Sequence, residues 1–277
     1  MRSRVRVLEV NEPLMTSGLP ATALAVAAVR LRQLLAPARG RVAVVTYAIG
    51  NADPFAPATA PRRRTRLRRR GERLLARWAW RRLDVVVWGT DAARRTYEDV
   101  LGRPSPRTRT ETVHALPARH DAARGGGPRP PVVAFVGSFA ERKGVPVLLE
   151  AWPSVVARRP DARLVLLGKG PLEDVVRAAA DDDPTVVVEV DPPRGRIHAV
   201  LDGARVLTLP SQPRPAWREQ VGLPVVEGLS HGCTVVTTTE TGLADWLSAH
   251  GHVVVPDAAD AQQLACLLYT SPSPRDS

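Results

Sequence analysis

Short apolar runs and longer segments of mixed polarity alternate along the first half of the chain. Three runs rich in Val and Leu predict β-strands: Arg4–Val10, Val42–Tyr47 and Asp84–Trp88. Three segments with helical spacing or composition predict α-helices: Leu19–Leu35, Arg62–Arg82 and Ala92–Leu101. Strands that alternate with helices in this way predict an α/β fold with a parallel sheet.

The alternation resumes after a break in composition at residues 125–131, Gly-Gly-Gly-Pro-Arg-Pro-Pro, which predicts a linker. Five further runs predict strands: Val132–Val136, Arg163–Leu167, Thr185–Val190, Ala204–Leu209 and Cys233–Thr238. Helical segments lie between them, as in a doubly wound nucleotide-binding domain. We therefore predict one domain at 1–124 and a second at 132–266. Residues 267–277 break from the helix that begins at Ala258, and we expect them to be a non-native tail.

The charge of the chain points to an anionic partner. The formal net charge is +11, and all of the 39 basic residues except Lys143 and Lys169 are arginine. Eleven arginines fall within residues 62–82, close to Trp78 and Trp80. Such a helix could dock on an anionic membrane or could be a solvated face, and both interpretations stay open. Nucleic acid is not expected, because no recognition module accompanies the charge.

The cysteine count and the apolar runs bear on the compartment. Cys233 and Cys266 have no metal-ligand spacing and no disulfide framework, which fits a reducing cytoplasm. The first 15 residues carry charges throughout, unlike a signal peptide. The longest weakly polar run, Ala21–Val29, is too short to span a bilayer. We expect a cytoplasmic protein, or one held peripherally on the inner face of the cell membrane.

Two carboxylates mark the first candidate site. Glu219 and Glu227 bracket Gly222 and Pro224, where we predict the start of a helix that ends near Gly232. The N–H groups at a helix start bind anions and hydroxyls, and carboxylates accept hydrogen bonds from sugar hydroxyls. The combination indicates a nucleotide-sugar pocket. The alternative is a surface helix with two solvated glutamates.

Both lysines fall in glycine-bearing turns at the ends of predicted strands, where phosphate binds in doubly wound sheets. The first turn, Gly137–Gly144, holds Ser138, Arg142 and Lys143. The second is Gly168-Lys169-Gly170-Pro171. Two such turns together with the glutamate pair favour the pocket. The acidic run 181–183 is interpreted as a solvated loop, and the histidines of the second half as structural.

In this order the motifs resemble the donor-binding domain of family 4 glycosyltransferases of the GT-B architecture, over residues 132 to about 256. The matching landmarks follow in chain order: Phe135–Gly137, Arg142–Gly144, Leu167–Pro171, Leu209–Ser211, the E-x7-E pair Glu219 and Glu227, and Gly242. The resemblance implies that Lys143 clamps the donor diphosphate. It implies that Glu219 hydrogen-bonds the transferred sugar and that Glu227 holds the ribose. The donor-binding set that it implies is Gly137, Ser138, Arg142, Lys143, Gly168, Lys169, Gly222, Leu223 and Glu227.

The chain departs from the family pattern at two positions. The family carries an arginine directly after the first-strand glycine, where this chain has Ser138, and Arg142 is the candidate replacement. Asn11-Glu12-Pro13 resembles the His-Glu-Pro of the acceptor domain, with Asn11 in place of the histidine that faces the reacting sugar. Asn11 is therefore a candidate for hydrogen bonding but not for acid or base catalysis. The first domain also begins almost at this motif, so we expect an enzyme truncated at both ends.

The resemblance implies two Rossmann-like domains facing a cleft, the N-terminal one incomplete. It implies a retaining glycosyltransferase that moves a hexose from a nucleotide-diphosphate sugar to a polysaccharide or lipid-linked glycan, with no cofactor and no essential metal. The catalytic candidates are Glu219, Lys143 and Asn11. One alternative is a non-catalytic anion-binding protein that uses the arginine-rich helix. A phosphorylase-like or hydrolytic relative is a third possibility.

Overall fold

The computed structural model describes residues 5–56, 63–120, 129–214, 217–256 and 260–270. The chain divides into two compact units, of which the first comprises Met1–Ala115 with Pro215–Gln220. The second comprises Leu116–Arg214 with Val221–Ser277. The division falls ahead of the linker predicted at 125–131, and residues 125–128 of that linker lie outside the described residues.

The first unit is a parallel sheet of four strands in chain order, β1-β2-β3-β4. The strands are β1 (Val7–Glu9), β2 (Ala43–Ala48), β3 (Val85–Trp88) and β4 (Arg109–Thr112). The helices are α1 (Leu19–Leu35), α2 (Arg63–Trp80) and α3 (Asp91–Leu101). The three predicted strands and three predicted helices of this half are confirmed. The sequence analysis missed β4, whose four residues are all exposed and therefore show no buried period.

An aromatic cluster forms the centre of the first unit's core. Trp80, Trp88 and Tyr97 come from α2, β3 and α3, and their ring centroids lie 5.0–5.7 Å apart. Trp80 and Tyr97 are fully buried. The hydroxyl of Thr90 caps α3 by accepting a hydrogen bond from the N–H of Ala93 at 3.0 Å. Aromatic packing and a capped helix thus fix α3 against the sheet.

The second unit is a parallel sheet of six strands in the order β10-β9-β8-β5-β6-β7. The strands are β5 (Val132–Val136), β6 (Arg163–Gly168), β7 (Val186–Val190), β8 (Val206–Leu209), β9 (Thr234–Thr238) and β10 (Val253–Val255). The helices are α4 (Val145–Arg158), α5 (Glu173–Asp182), α6 (Arg194–Gly203), α7 (Leu223–Ser230), α8 (Ala244–Ala249) and α9 (Ala261–Thr270). Strands β5, β6 and β8 read as near-continuous apolar runs because both faces of a doubly wound sheet are covered.

The structure corrects the prediction at the end of the second unit. Helix α9 continues to Thr270, and Leu268 is only 5 % exposed, so residues 267–270 belong to the fold and not to a tail. Residues 271–277 of the predicted tail lie outside the described residues, as do 257–259, where the helix was expected to begin. Strand β10 and helix α8 are short elements that the sequence analysis did not predict.

The strand order of the second unit contains a topological switch point. From β5 the chain moves outward through β6 to β7, and then returns to place β8 on the other side of β5. In such sheets the loops after the two central strands leave in opposite directions, and ligands bind in the crevice between them. The loops that follow β5 and β8 are therefore the expected position of a ligand-binding site.

No helix among the described residues is long and apolar enough to cross a bilayer.

Candidate nucleotide-sugar donor site

The two predicted glycine turns form one continuous backbone structure beyond β5 and β6. The N–H of Gly137 donates to the carbonyl of Leu167 at 2.9 Å, and the N–H of Phe139 donates to the carbonyl of Lys169 at 3.0 Å. A Cβ on Gly168 would stand 1.8 Å from the carbonyl oxygen of Gly137. Glycine at 168 is therefore required by contact with neighbouring backbone.

The loops after β5 and β8 also touch across the switch point. Gly144 has a φ of +76°, and a Cβ there would stand 1.9 Å from the carbonyl oxygen of Pro210. The N–H of Gln212 donates to the carbonyl of Arg142 at 2.9 Å. The Arg-Lys-Gly motif at Arg142–Gly144 is thus packed against the Leu-Pro-Ser motif at Leu209–Ser211, although the two are about 70 residues apart in the chain.

Lys143 lies at the end of a 3₁₀ turn, Glu141–Lys143, that leads into α4. The residue is only 8 % exposed, which is unusual because lysine is almost always on the surface unless it is paired. The family resemblance assigns the diphosphate contact to this residue. A lysine held in the loop after the first strand of the sheet is in the right element for that role. Arg142 and Ser138, its neighbours in the loop, are half-buried.

Lys169 differs from Lys143 in its surroundings. Its ammonium lies 2.8 Å from the carboxylate of Asp191, and both side chains are about two-thirds exposed. Asp191 has a φ of +49° in the turn after β7. An exposed ion pair of this kind contributes little to stability and exchanges readily. Of the two lysines in the glycine turns, Lys143 is the one that the fold encloses.

Helix α7 begins at the second predicted anion site. Gly222 precedes it with a φ of +78°, in the left-handed region that favours glycine, and Pro224 follows as the second residue of the helix. Leu223 is 73 % exposed, so the open end of the helix faces solvent with an apolar side chain beside it. The positive end of the helix dipole therefore points to the surface beyond β8.

Glu227 lies one turn inside α7, and its side chain is 19 % exposed. Its carboxylate accepts a hydrogen bond from the guanidinium of Arg194 at 2.6 Å, while Arg194 itself is 73 % exposed. The sequence analysis assigned no role to Arg194. Its position at the start of α6 gave no sequence signal, because the contact depends on how α6 and α7 pack.

Two of the predicted catalytic residues belong to the first unit. Glu219 lies in the segment 215–220, which the structure groups with the first unit, and its carbonyl accepts a hydrogen bond from the side chain of Asn51 at 2.9 Å. Asn11 is exposed, and its side chain packs against Gly18 at the start of α1. The E-x7-E pair is thus divided, with Glu219 in the first unit and Glu227 in the second.

The residue after Asn11 is a buried acid that the sequence analysis did not single out. The Oε2 atom of Glu12 accepts hydrogen bonds from the N–H groups of Ile49 and Gly50, at 3.0 and 2.9 Å, and from the hydroxyl of Tyr97 at 2.9 Å. Burial and the charge of Glu12 hold the pKa of Tyr97 well above its usual value. Glu12 therefore joins the ends of β1 and β2 to α3, and it fixes the backbone that carries Asn11.

The comparison with protein families gives a match over half of the chain. Residues 130–270 match the family described as Glycosyl transferases group 1. The chain is 34 % identical over 167 residues to a glycogen synthase of Alkalilimnicola ehrlichii. It is 30 % identical over 145 residues to a GDP-mannose-dependent monoacylated alpha-(1-6)-phosphatidylinositol monomannoside mannosyltransferase of Corynebacterium glutamicum.

These matches cover 59 % and 50 % of this chain and 33 % and 37 % of the two relatives. The chain thus spans about a third of the length of the curated relatives it matches.

Solved structures show the same architecture. The chain superposes on Anabaena Alr3699/HepE in complex with UDP and glucose with a TM-score of 0.60, at 15 % identity, over 96 % of this chain and 68 % of that one. It superposes on WaaG, a glycosyltransferase involved in lipopolysaccharide biosynthesis, with a TM-score of 0.57, at 19 % identity, over 88 % and 72 %. At this identity the likeness shows the fold alone, which is the predicted α/β fold of the GT-B type. With the match over residues 130–270, the chain belongs to the Glycosyl transferases group 1 family.

Proposed function

We propose that this chain supplies the donor-binding part of a retaining glycosyltransferase. The enzyme moves a hexose from a nucleotide-diphosphate sugar to a polysaccharide or lipid-linked glycan, on the cytoplasmic side of the membrane. Membership of the family supports nucleotide-sugar transfer and does not favour a non-catalytic anion-binding protein. The names of the relatives include both a glycogen synthase and a GDP-mannose-dependent enzyme, so the nucleotide and the sugar are left to experiment.

The observation that carries the proposal is the switch point between β5 and β8. Lys143 lies in the loop after β5, and the start of α7 follows β8, so both flank the crevice where doubly wound sheets bind nucleotides. The second unit contains 15 basic and 18 acidic residues, a net charge of −3. Because the unit as a whole does not attract anions, binding of a diphosphate there depends on these local groups.

The chemistry that this arrangement supports is stabilisation of a leaving diphosphate. Negative charge develops on the diphosphate as its bond to the sugar breaks. The ammonium of Lys143 and the N-terminal dipole of α7 are fixed groups of the opposite sign, which need no reorganisation at that moment. Glu227 accepts hydrogen bonds from the ribose in this proposal, and Arg194 orients or screens its carboxylate.

The first unit supplies the acceptor side in this proposal. Glu219 hydrogen-bonds the transferred sugar, and Asn11 lies on the turn that Glu12 fixes. Asn11 contributes hydrogen bonding only, because a carboxamide has no group that ionises near neutral pH and cannot act as a general acid or base. We also propose that α2 makes a peripheral contact with an anionic membrane, which suits a lipid-linked acceptor.

The experiment is a thermal-shift titration of the full chain with UDP, GDP and ADP. We expect one nucleotide to raise the melting temperature, since a ligand that binds only the folded state stabilises it. The variants Lys143→Ala and Glu227→Gln should abolish or strongly weaken the shift. Glu150→Gln is the matched control, because Glu150 is an exposed glutamate on α4.

Three results bear on the proposal in different ways. A shift that survives in both site variants would contradict the assignment of Lys143 and Glu227. No shift with any nucleotide, from a chain that melts cooperatively, would count against the donor site itself. A nucleotide-dependent shift that Glu150→Gln weakens as much as Glu227→Gln would show that the effect is not local.

A further inference from the structure

Three histidines that are far apart in the chain meet in the second unit. His120 lies near the start of the unit's first segment, Leu116–Arg214, His198 lies on α6, and His231 follows the last residue of α7. One ring nitrogen of each lies within 4.8 Å of the corresponding nitrogens of the other two. The ring centroids are 4.2, 5.1 and 5.5 Å apart. Three imidazoles at these distances can bind one ion together.

A carboxylate fixes the orientation of the central ring. The Nδ1 atom of His231 lies 2.6 Å from an oxygen of Asp202, at the end of α6, and the His231 side chain is fully buried. An imidazole that donates from Nδ1 to a carboxylate leaves the lone pair of Nε2 available. That Nε2 lies 2.9 Å from Nδ1 of His198. Metal-binding histidines in proteins commonly donate their other ring N–H to a carboxylate, which fixes the orientation of the ring.

Among the described residues, one buried ring nitrogen of the cluster is left without a hydrogen bond. Nδ1 of His120 is buried and makes no hydrogen bond within the described part of the chain, although the residue as a whole is partly exposed. It lies 3.5 Å from the carboxylate of Asp202. That distance is long for an ion pair, and a buried polar atom that lacks a hydrogen bond costs free energy. A bound cation would satisfy it.

We propose that His120, His198 and His231 form a binding site for a transition-metal ion, Zn²⁺ foremost, with Asp202 as the carboxylate that orients His231. Three neutral imidazoles with a nearby carboxylate are a ligand set that suits Zn²⁺, and also Co²⁺ and Ni²⁺. Hard cations such as Mg²⁺ and Ca²⁺ are disfavoured because they take oxygen ligands. For His198 to bind the ion through Nδ1, its proton must be on Nε2.

The nearest thiol is not a ligand in this site. Cys233 is buried, and its thiol contacts the carbonyls of Leu201 and Ala204 at 3.5 Å. The guanidinium of Arg129 donates to the carbonyls of His231 and Ala204 and, at 3.7 Å, to the sulfur of Cys233. The protein ligands in this proposal are therefore the three histidines.

A metal at this place would act on structure and not on sugar transfer. His231 follows the C-terminal end of α7, whereas the donor groups lie at the N-terminal end of that helix. An eight-residue helix is about 12 Å long, so the metal is remote from the diphosphate. His120 is also tied to α7 through its N–H, which donates to the carbonyl of Ser230 at 2.8 Å. The ion would cross-link α6, α7 and the segment that enters the second unit.

The experiment measures metal binding by the full chain in the absence of any nucleotide. Zn²⁺ affinity is obtained by competition with a chromophoric chelator, and Co²⁺ is used as a spectroscopic probe of coordination. We expect one equivalent of Zn²⁺, and we expect at least a 10-fold weaker affinity in His120→Gln, His198→Gln and Asp202→Asn. His250→Gln is the matched control, because His250 is exposed at the end of α8 and lies outside the cluster. It should bind Zn²⁺ like the unchanged chain.

Two results would overturn the site. The first is Zn²⁺ binding that His120→Gln and His198→Gln leave unchanged. The second is the absence of binding at about 100 µM Zn²⁺, a concentration far above the dissociation constants of structural zinc sites. X-ray absorption at the zinc edge of the unchanged chain identifies the metal ligands directly, and this measurement does not depend on whether the variants fold. Three imidazole nitrogens at about 2.0–2.1 Å are expected. Fewer than three would refute the ligand set.

Discussion

Gly168 has no room for a side chain, and its replacement tests how the donor loop is built. In Gly168→Ala the new methyl group would lie 1.8 Å from the carbonyl oxygen of Gly137, so the backbone of one turn must move. We expect a loss of at least about 2 kcal/mol in the free energy of unfolding, at the upper part of the range for overpacked sites. Urea denaturation with circular dichroism measures it. Nucleotide binding should weaken in parallel if both turns line the donor site, as proposed above.

Gly195→Ala is the matched control for this substitution. Gly195 is in α6, and a Cβ there meets nothing within 4 Å. We expect its unfolding free energy to stay within about 0.5 kcal/mol of the unchanged chain or to rise slightly, since alanine is the better helix former. Equal losses in the two variants would mean that the close backbone contact at Gly168 does not matter.

At the scale of single residues, sequence reasoning found the groups that belong to a linear motif. Lys143, Gly168 and Glu227 were chosen from the sequence, and the structure places all three in the second unit: in the turn after β5, at the end of β6 and one turn inside α7. Arg194 and the histidine cluster were missed as functional groups. Their partners lie 29 or more residues away in the chain, and no repeated spacing in the sequence indicates them. The contacts exist only because α6 packs beside α7.

Asp84 joins three elements of the first unit and makes its stability depend on pH. The carboxylate accepts hydrogen bonds from the N–H of Val44 at 2.8 Å, from Arg30 at 2.9 Å and from Arg41 at 2.5 Å. Burial alone would raise the pKa of Asp84, but the hydrogen bonds from Val44, Arg41 and Arg30 outweigh it, and the pKa lies below its ordinary value. The charged form therefore stabilises the folded state.

The expected pH dependence follows from the direction of this shift. With a folded-state pKa below the unfolded value of about 3.9, the contribution is fully present above pH 5 and is lost as the pH falls through the folded-state pKa. Asp84→Asn should cost about 1–3 kcal/mol at pH 7. The difference between the two proteins should be constant from pH 8 to 5 and should shrink in more acidic solution. Urea unfolding midpoints across this pH range measure it.

Glu111→Gln serves as the comparison for Asp84→Asn. Glu111 is in the same unit, but its side chain is 52 % exposed and pairs with the exposed Arg109. Exposed pairs of this kind are worth little, so we expect a change below about 0.5 kcal/mol at all pH values. A loss in Asp84→Asn that does not diminish at low pH would contradict the assigned role of the carboxylate charge.

At the scale of elements, helices and strands with a periodic pattern of apolar residues were predicted from the sequence, and elements without such a pattern were missed. Helix α1 was predicted with its observed bounds, Leu19–Leu35, because apolar residues recur at helical spacing and Pro37 ends the pattern. Strand β4 was missed because its residues, Arg-Thr-Glu-Thr, are all exposed at the edge of a sheet. Its strand character comes from pairing with β3, a tertiary interaction that no local pattern reports.

The charge of the whole molecule is concentrated in the first unit. That unit holds 24 of the 39 basic residues and 10 of the 28 acidic residues, a net charge of +14 against −3 for the second unit. Within α2, the arginines do not all face solvent. Arg73 and Arg77 donate to the carbonyl of Val100 near the end of α3, where a positive charge also suits the helix dipole. The sequence left open whether the arginine-rich helix contacts a membrane or only solvent. That choice now concerns only the outer face of α2.

That outer face has the composition of a membrane-binding surface. Arg66 and Arg70 are exposed, and Leu67 and Leu74 are 72 % and 66 % exposed on the same side of the helix. Leucines at positions i and i+7, with arginines beside them, can enter the interface while the guanidinium groups contact anionic lipid headgroups. Leucines that are this exposed have no role in the core of the unit, which Ala76, Ala79 and Trp80 serve from the opposite side.

We expect the chain to sediment with vesicles that contain about 30 % phosphatidylglycerol but not with vesicles of phosphatidylcholine alone. Each arginine near an anionic surface contributes about 1 kcal/mol, so the double charge reversal Arg66→Glu/Arg70→Glu should weaken binding at least 10-fold. The control is Arg103→Glu/Arg107→Glu, two exposed arginines of the same unit that lie after α3. If both double variants bind equally weakly, the field of the whole unit holds the vesicle and α2 has no special part. If only the α2 variant loses binding, and added salt weakens the unchanged chain, the contact is local and electrostatic, because salt screens exposed charges within about 10 Å at 0.1 M.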